Sequence, residues 1–272
     1  MTLEELKKMK RGFTHSGLFH ADDVFASAFL KIINPEIIIE RGFEVPDNYD
    51  GIVFDIGMGE FDHHQSDNEL RENGIPYASF GKLWRAFAPL LYGERVYEKI
   101  DYKFIESLDL CDNTGRSNAL ADAVSLFNPL WDTDSNGDKE FEDATSFAKI
   151  ILEKLIAKEI SYVDANKLVM DAYNRALNKE IIILDRYIPF KEILPDTKAV
   201  YVIFPSNRGG FCVQAITKNS DTKELKKAFP DVWRQTLPSY VNFCHNSLFL
   251  ISTDTLENAL KAAEYSLERV IK

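Results

Sequence analysis

Two hydrophobic rhythms alternate along the first 130 or so residues. Short β-branched or apolar runs at 11–15, 37–39 and 52–54 have the character of buried strands. Between them, Val24, Phe25, Ala28, Phe29 and Ile32 recur at helical spacing. They predict a helix from about 22 to 33, stopped by Asn34-Pro35. Amphipathic helices are predicted over roughly 78–92 and 96–110. A polar loop carrying Asp132, Asp134, Asn136 and Asp138 then leads into a long helical stretch, about 141–178. Beyond it the period changes. Residues 181–184, 199–204 and 211–216 have strand character, and Asn207-Arg208-Gly209-Gly210 fits a turn between the last two. A last helix is predicted over 255–271, with Leu256, Ala259, Leu260, Ala263 and Leu267 as its apolar stripe. The expected fold is α/β: a parallel-sheet metal-binding domain over 1–140, a helical connector over 141–180, and a smaller α+β C-terminal domain over 181–272.

Composition narrows the setting. With 45% hydrophobic and 28% charged residues, the 272-residue chain has a globular profile. No apolar run approaches the ~20 residues that span a bilayer. The opening MTLEELKKMKRGF lacks the apolar stretch of a signal peptide, so a cytoplasmic location is expected and no membrane partner. Cys111, Cys212 and Cys244 are too widely spaced for a zinc ribbon and read as reduced, buried thiols. The net charge of −11 argues against a broad basic surface for long duplex DNA. It leaves room for a small phosphate ester or a short single strand, because bound divalent cations would reverse the local charge.

The chemistry concentrates early. Four of the five histidines fall within fifty residues of one another. They stand in Thr14-His15-Ser16-Gly17-Leu18-Phe19-His20-Ala21-Asp22-Asp23 and Phe61-Asp62-His63-His64-Gln65, with Asp55 ending an apolar run between the two. Three strand ends would thus deliver His and Asp to the carboxyl edge of a parallel sheet, where ligands bind. Taken singly, these residues have ordinary readings: a surface histidine, a helix cap at Asp22, a helix-dipole partner at Asp23. The Asp-His-His triplet has no packing use. Imidazole and carboxylate without thiolate suit Mn²⁺ first, with Co²⁺, Fe²⁺ and Zn²⁺ compatible. Six or more donors exceed the needs of one ion, so two divalent ions are expected.

These motifs carry a resemblance. Asp62-His63-His64 resembles the signature of the DHH phosphoesterase superfamily. The segments 14–23 and 61–65 resemble, more closely, the MYG1 family. The similarity continues through Asp109-Leu-Cys-Asp112-Asn113, Leu184-Asp185-Arg186 with Pro189, 211–216, Trp233-Arg234 and Phe243-Cys244-His245. The resemblance implies that His15, His20, Asp22 and His63 are metal ligands, with His20 replacing an acid. It implies that Asp55 bridges both ions, and that Asp109 or Asp112 is the last ligand. His64 would contact substrate phosphate as donor or general acid, and Asp62 would orient a ligating histidine. In the C-terminal domain, which in the superfamily closes over the site, Arg208, Gly209, Gly210, Arg234 and His245 are the substrate-binding candidates. Their ordinary readings are a hairpin turn, surface charge and a buried hydrogen-bonding histidine. The segment after Trp233-Arg234 is short, and Leu250-Ile-Ser-Thr253 stands where relatives tend to carry a glycine pair.

The implied activity is a metal-dependent phosphodiester hydrolase, a 3′-to-5′ exonuclease-like nuclease acting on RNA or short oligonucleotides. A small-molecule phosphoesterase acting on a dinucleotide, cyclic nucleotide or pyrophosphate is the first alternative. A non-catalytic metal- or partner-binding protein is the second.

Overall fold

The computed structural model describes residues 1–65 and 69–268. The chain forms two compact units, Met1–Ile160 and Ser161–Lys272. In the first unit a capped helix α1 (Leu3–Lys8) precedes β1 (Arg11–His15), α2 (Ala21–Ile33), β2 (Ile38–Gly42) and β3 (Ile52–Val53). The strands make a parallel sheet in the order β2-β1-β3. A parallel bridge from Phe54 to Phe61 extends it beyond β3. The third expected strand end is therefore a single bridged residue rather than a strand. Helices α3 (Ser79–Tyr92), α4 (Glu94–Ile100), α5 (Glu106–Thr114) and α6 (Ala119–Ser125) follow.

Helix α2 departs most from its sequence pattern. Instead of one apolar face, every residue from Ala21 to Leu30 is buried, including Asp22, Asp23 and Ser27. Phe25 and Phe29 pack on Phe80 and Trp84 of α3, which completes the enclosure. Burying a side chain of this size contributes roughly 1.5–3 kcal/mol. An unpaired buried carboxylate costs several kcal/mol. Two acids in such a helix therefore need compensation from their surroundings. The stretch expected as one helix over 96–110 is broken by a π turn at Asp101–Ile105, between α4 and α5. A π turn adds a residue to the helical count, so a plain 3.6 period cannot phase its two sides together.

The long helix α7 (Asp138–Arg175) crosses the division between the units. Its first half places Phe141, Ala144, Ala148, Leu152 and Ile156 in the core of the first unit. Its second half places Ala165 and Val169 in a core of the second. The second unit is a five-stranded mixed sheet of β4 (Ile181–Ile183), β5 (Tyr201–Pro205), β6 (Phe211–Ala215), β7 (Phe243–Cys244) and β8 (Leu250–Thr253), ordered β4-β5-β6-β8-β7. Only the β4–β5 pair is parallel. Helix α8 (Leu256–Glu268) sets Ala259, Ala262 and Ala263 in one core of this unit. The expected continuation of that helix past 268 lies outside the described residues. Tyr201, Phe229 and Trp233 stack in series, ending on Tyr265 of α8 itself. The three cysteines are unbonded and half-buried, less enclosed than their spacing suggested. Among the described residues no helix is long and apolar enough to cross a membrane.

Candidate metal centre

Strand β1 ends at His15, and the chain turns at Gly17, whose φ of +92° suits glycine. The turn is pinned from β2. Arg41, in register with Thr14, donates Nε–H to the His15 carbonyl (3.2 Å) and Nη2–H to the Gly17 carbonyl (2.8 Å). Its side chain is 2% exposed and lies 4.5 Å from the Phe141 ring centroid. His20 precedes α2 in extended backbone, and its N–H donates to Asp23 Oδ1 (2.8 Å). Asp22 reaches across to α3, where both its oxygens accept helix N-terminal N–H groups, from Ser79 (2.9 Å) and Phe80 (2.7 Å). Ala78 has no side chain that could cap α3, so Asp22 does it from another helix.

Asp55 follows the β3 edge in left-handed backbone, φ 57°. Its Oδ2 lies 3.2 Å from His15 Nε2 and its Oδ1 lies 3.0 Å from His63 Nε2. Ser79 Oγ donates to Oδ1 as well (3.1 Å). His15 Nε2 is also 3.3 Å from Asp23 Oδ2, and His63 Nε2 is 3.2 Å from Asp112 Oδ2. Two donors held about 2.1 Å from one ion at right angles stand about 3 Å apart, so these separations fit shared coordination. Three donor groups meet here: His15 with Asp23 and Asp55, Asp55 with His63 and His64, and Asp22 with His63 and Asp112.

The histidine tautomers follow from their partners. His15 Nδ1 faces the Ser16 carbonyl (3.1 Å), which can only accept, so the proton sits on Nδ1 and Nε2 is turned to the acids. Asn113 donates its amide N–H to the Asp109 carbonyl (2.9 Å). Its Oδ1 is thereby left to accept from His63 Nδ1 (3.3 Å), and His63 Nε2 also faces carboxylates. Asp62 grips the third ring: Oδ1 bonds His64 Nδ1 (2.7 Å) and accepts the His64 backbone N–H (3.1 Å). Asp62 Oδ2 accepts from the Met58 N–H (2.7 Å), and buried Lys82 holds the Asp62 carbonyl (2.7 Å). The His64 side chain is 58% exposed, and lines a cleft of about 750 Å³ with His15, His20, Asp55, His63 and Asp112.

The electrostatics describe a site short of positive charge. Burial, together with the charges of Asp55 and Asp112, pushes the Asp22 carboxyl well above the usual range. Burial likewise lifts Asp23 to about 7 and raises Asp112, with the imidazoles pulling both back. Asp55 goes the other way: burial opposes ionisation, but bonds to His15 and His63 hold it well below the ordinary carboxylate range. His15 is driven up to about 9, because Asp55 and Asp23 overcome its burial, and His63 rises for a similar reason. Among the described residues, the compensation these acids receive comes from protonated imidazoles, from backbone and hydroxyl dipoles and, at Asp23, from the charge of Arg41. Asp23 Oδ2 is buried without a hydrogen bond in good geometry. A divalent cation fits this donor set.

The structure thus brings His15, His20, Asp55, Asp62, His63, His64 and Asp112 around one cleft, with Asp22 buried next to His63 and Asp112. His20 is the most open of them, its Nδ1 4.0 Å from Asp112 Oδ1. Asp109 is turned away, its Oδ2 2.6 Å from Arg71. Asp62 orients a histidine, but the histidine is His64. In the second unit, Arg208, Gly209 and Gly210 form the β5–β6 turn, closed by Ser206 N–H to the Gly210 carbonyl (2.9 Å). Arg234 pairs with Asp231 (3.0 Å) in a 3-10 turn. His245 Nδ1 accepts the Ser247 N–H (3.0 Å), and its ring packs on Phe249. Asp23, Arg41, Lys82 and Asn113 were passed over in the sequence as site residues. Asp23 and Lys82 had a usable signal, a charge inside an otherwise apolar helical segment. Asn113 had its place in the Asp109-Leu-Cys-Asp112-Asn113 segment, and Arg41 had none beyond adjacency.

Comparison with known proteins adds a second line. The family model MYG1_exonuc, described as "Uncharacterised protein family (UPF0160)", matches residues 12–267. The MYG1 protein of Schizosaccharomyces pombe is 25% identical over 315 residues, covering 94% of this chain and 96% of the yeast protein. A Mus musculus protein named MYG1 exonuclease is 26% identical over 324 residues, covering 93% and 84% respectively. The MYG1 protein of Chlamydia pneumoniae is 26% identical over 295 residues, covering 94% and 96%.

Proposed function

The chain belongs to the MYG1_exonuc family, and from that premise we propose that it is a metal-dependent phosphodiesterase cutting RNA or short oligonucleotides from an end, as its relatives' name suggests. The observation that carries the reading is Asp55, buried between the Nε2 atoms of His15 and His63. Two divalent ions, Mn²⁺ foremost, would be held by His15, Asp22, Asp23, Asp55, His63 and Asp112, with His20 at the open side. When bound, they supply the positive charge that binds a phosphoryl group and the Lewis acidity that makes water nucleophilic at neutral pH. The chain's own residues do the rest. Backbone N–H groups of α3 hold Asp22 in place. The Ser16 carbonyl and the Asn113 amide fix the two ligating imidazoles. Asp62 accepts from His64 Nδ1, which leaves Nε2 for the substrate; with the ring as imidazolium, its Nε2–H would donate a hydrogen bond or proton to the phosphate or its leaving oxygen.

A second reading, hydrolysis of a dinucleotide or cyclic nucleotide, draws support from the net charge of −11, which suits a small anion better than a long one. A panel of 5′-labelled and 3′-labelled short RNA, a dinucleotide, a cyclic dinucleotide and pyrophosphate separates the readings and gives the polarity. Cleavage is expected to disappear with EDTA and return with Mn²⁺ or Co²⁺. Full activity in metal-stripped protein would sink the proposal.

A further inference from the structure

The charged floor of the cleft is flanked by two exposed apolar side chains on backbone that is held in place. Met58 is 62% exposed and lines the cleft. Its φ of 59° is left-handed, a conformation that disfavours any residue with a side chain. The turn is nonetheless fastened at both ends of the residue. The Met58 N–H donates to Asp62 Oδ2 (2.7 Å), and its carbonyl accepts from Gln65 Nε2 (2.6 Å). The carboxylate that orients His64 thus also sets the backbone that presents Met58. Leu18, 66% exposed, also lines the cleft, on the loop that carries His15 and His20. That loop is fastened too: Arg41 holds the Gly17 carbonyl, while Asn128 accepts the Phe19 N–H (3.0 Å) and donates to the Phe19 carbonyl (2.9 Å). An exposed leucine or methionine alone means little. Two of them on fixed loops beside buried charge, one in strained backbone, are a built feature.

We infer that Met58 and Leu18 hold the nucleobase next to the scissile phosphate, making them specificity residues for base-bearing substrates. This rests on the phosphodiesterase reading above. The floor of the cleft takes the phosphate by charge. The two side chains offer no hydrogen-bond donor or acceptor of consequence, so they cannot read a sugar hydroxyl or a base edge. A thioether and an isobutyl group instead suit the flat face of an aromatic ring. Every base has such a face, so the contact tolerates any sequence while requiring that the base be unpaired and unstacked. A cleft of about 750 Å³ accommodates a ligand of nucleotide size.

The test pairs a substrate change with a protein change. A short oligoribonucleotide is compared with counterparts lacking the base on either side of the terminal phosphodiester, with Mn²⁺ present. For the unaltered protein, removal of the flanking base is expected to lower kcat/KM roughly tenfold or more, mainly through KM. Met58→Gly relieves the left-handed backbone and keeps the turn, so it folds without new strain. In Met58→Gly, and in Leu18→Ala, the ratio between base-bearing and abasic substrates should fall to roughly threefold or less. A ratio as large in both variants as in the unaltered protein overturns the inference and leaves the pair to some other occupant. So does an unaltered protein that cleaves the abasic and base-bearing compounds equally well, although the phosphodiesterase reading then stands. Failure to cleave any of them removes that reading and this inference together.

Discussion

Two sets of buried carboxylates in the first unit meet the cost of burial differently. Asp101 and Asp109 face Arg71, whose guanidinium lies 2.8 Å from Asp101 and 2.6 Å from Asp109 and also covers the Tyr77 ring. Space for Asp109 comes from Gly81, where a Cβ would stand 1.9 Å from Asp109 Oδ2. Asp22, Asp23, Asp55 and Asp112 have, among the described residues, no ion pair with a lysine or arginine. Their partners are imidazoles and backbone or hydroxyl donors. The first set carries its counter-charge in the sequence. The second has imidazoles and, at Asp23, the charge of Arg41 without a direct ion pair, and its oxygens and imidazole nitrogens are spaced about as donors around an ion would be. Acid content alone would not have separated the two sets, whereas the source of the neutralising charge does.

The comparison breaks most visibly at Asp55. If Asp55 bridges two ions, as proposed, the amide of Asp55→Asn would coordinate weakly and leave no negative charge between them. Metal content by plasma mass spectrometry should fall, and kcat/KM should drop on the order of 10³ or more. His64→Asn should keep its metal and lose on the order of 10²–10³ in kcat, as when a donor to a developing oxyanion is removed. An Asp55→Asn protein replete with metal, or a His64→Asn protein missing an ion, would reverse the two assignments.

Much of this was legible before any coordinates. The alternation of strand and helix signals located β1, β3 and α2 to within a residue, because apolar periodicity and Asn34-Pro35 are local causes; β2 begins one residue late and runs three residues past its expected end, through the polar Glu40 and Arg41 to Gly42. The histidine clusters were legible because strand ends in a parallel sheet converge. What escaped was set by residues distant in sequence. Asp109 and Asp112 are three apart, hence on the same side of α5, and spacing could not choose between them. Arg71, 38 positions upstream, engages Asp109, while Asp112 faces His63. The π turn before α5 was invisible to a 3.6-residue period. The short strands β7 and β8 depend on pairing with each other and with β6, which no local pattern announces. Asp23 was read as a helix-dipole partner because burial of α2 on all sides depends on α3.

Asp23 therefore offers the sharper test of intermediate size. Its Oδ1 accepts the His20 N–H, which an asparagine oxygen can still do. Its Oδ2 faces His15 and would become a neutral amide N–H₂. Asp23→Asn is expected to fold and to bind metal about 10–100-fold more weakly, the range for a group that orients or supplements ligands. Calorimetric titration of chelated, dialysed protein with Mn²⁺ reads this directly. An unaltered affinity would return Asp23 to the dipole role and confine the unpaired acids to Asp22, Asp55 and Asp112.

The smallest effect is expected on the other side of the comparison, at Asp109. Burial holds its carboxyl up at about 7, with Arg71 pulling against it. In an unfolded chain an aspartate titrates near 3.9. Between about pH 4 and 7 the folded chain therefore binds the proton more tightly, and the stability this gives below pH 4 is lost as pH rises through about 7. Asparagine has no such proton and can still accept from Arg71, which keeps Asp101. Asp109→Asn should thus retain its metal and lie within about 2 kcal/mol of the unaltered chain at pH 7. The stability difference should move in the variant's favour as pH rises from 4 to 8. Chemical denaturation in EDTA across that range removes the contribution of metal binding from the measurement. A difference that does not change with pH would mean that Arg71 keeps Asp109 ionised throughout, a fuller neutralisation than burial at this position allows. Loss of an ion at unchanged stability would mean that Asp109, rather than Asp112, belongs to the metal centre, and the distinction between the two sets of acids would then fail where Arg71 was supposed to draw it.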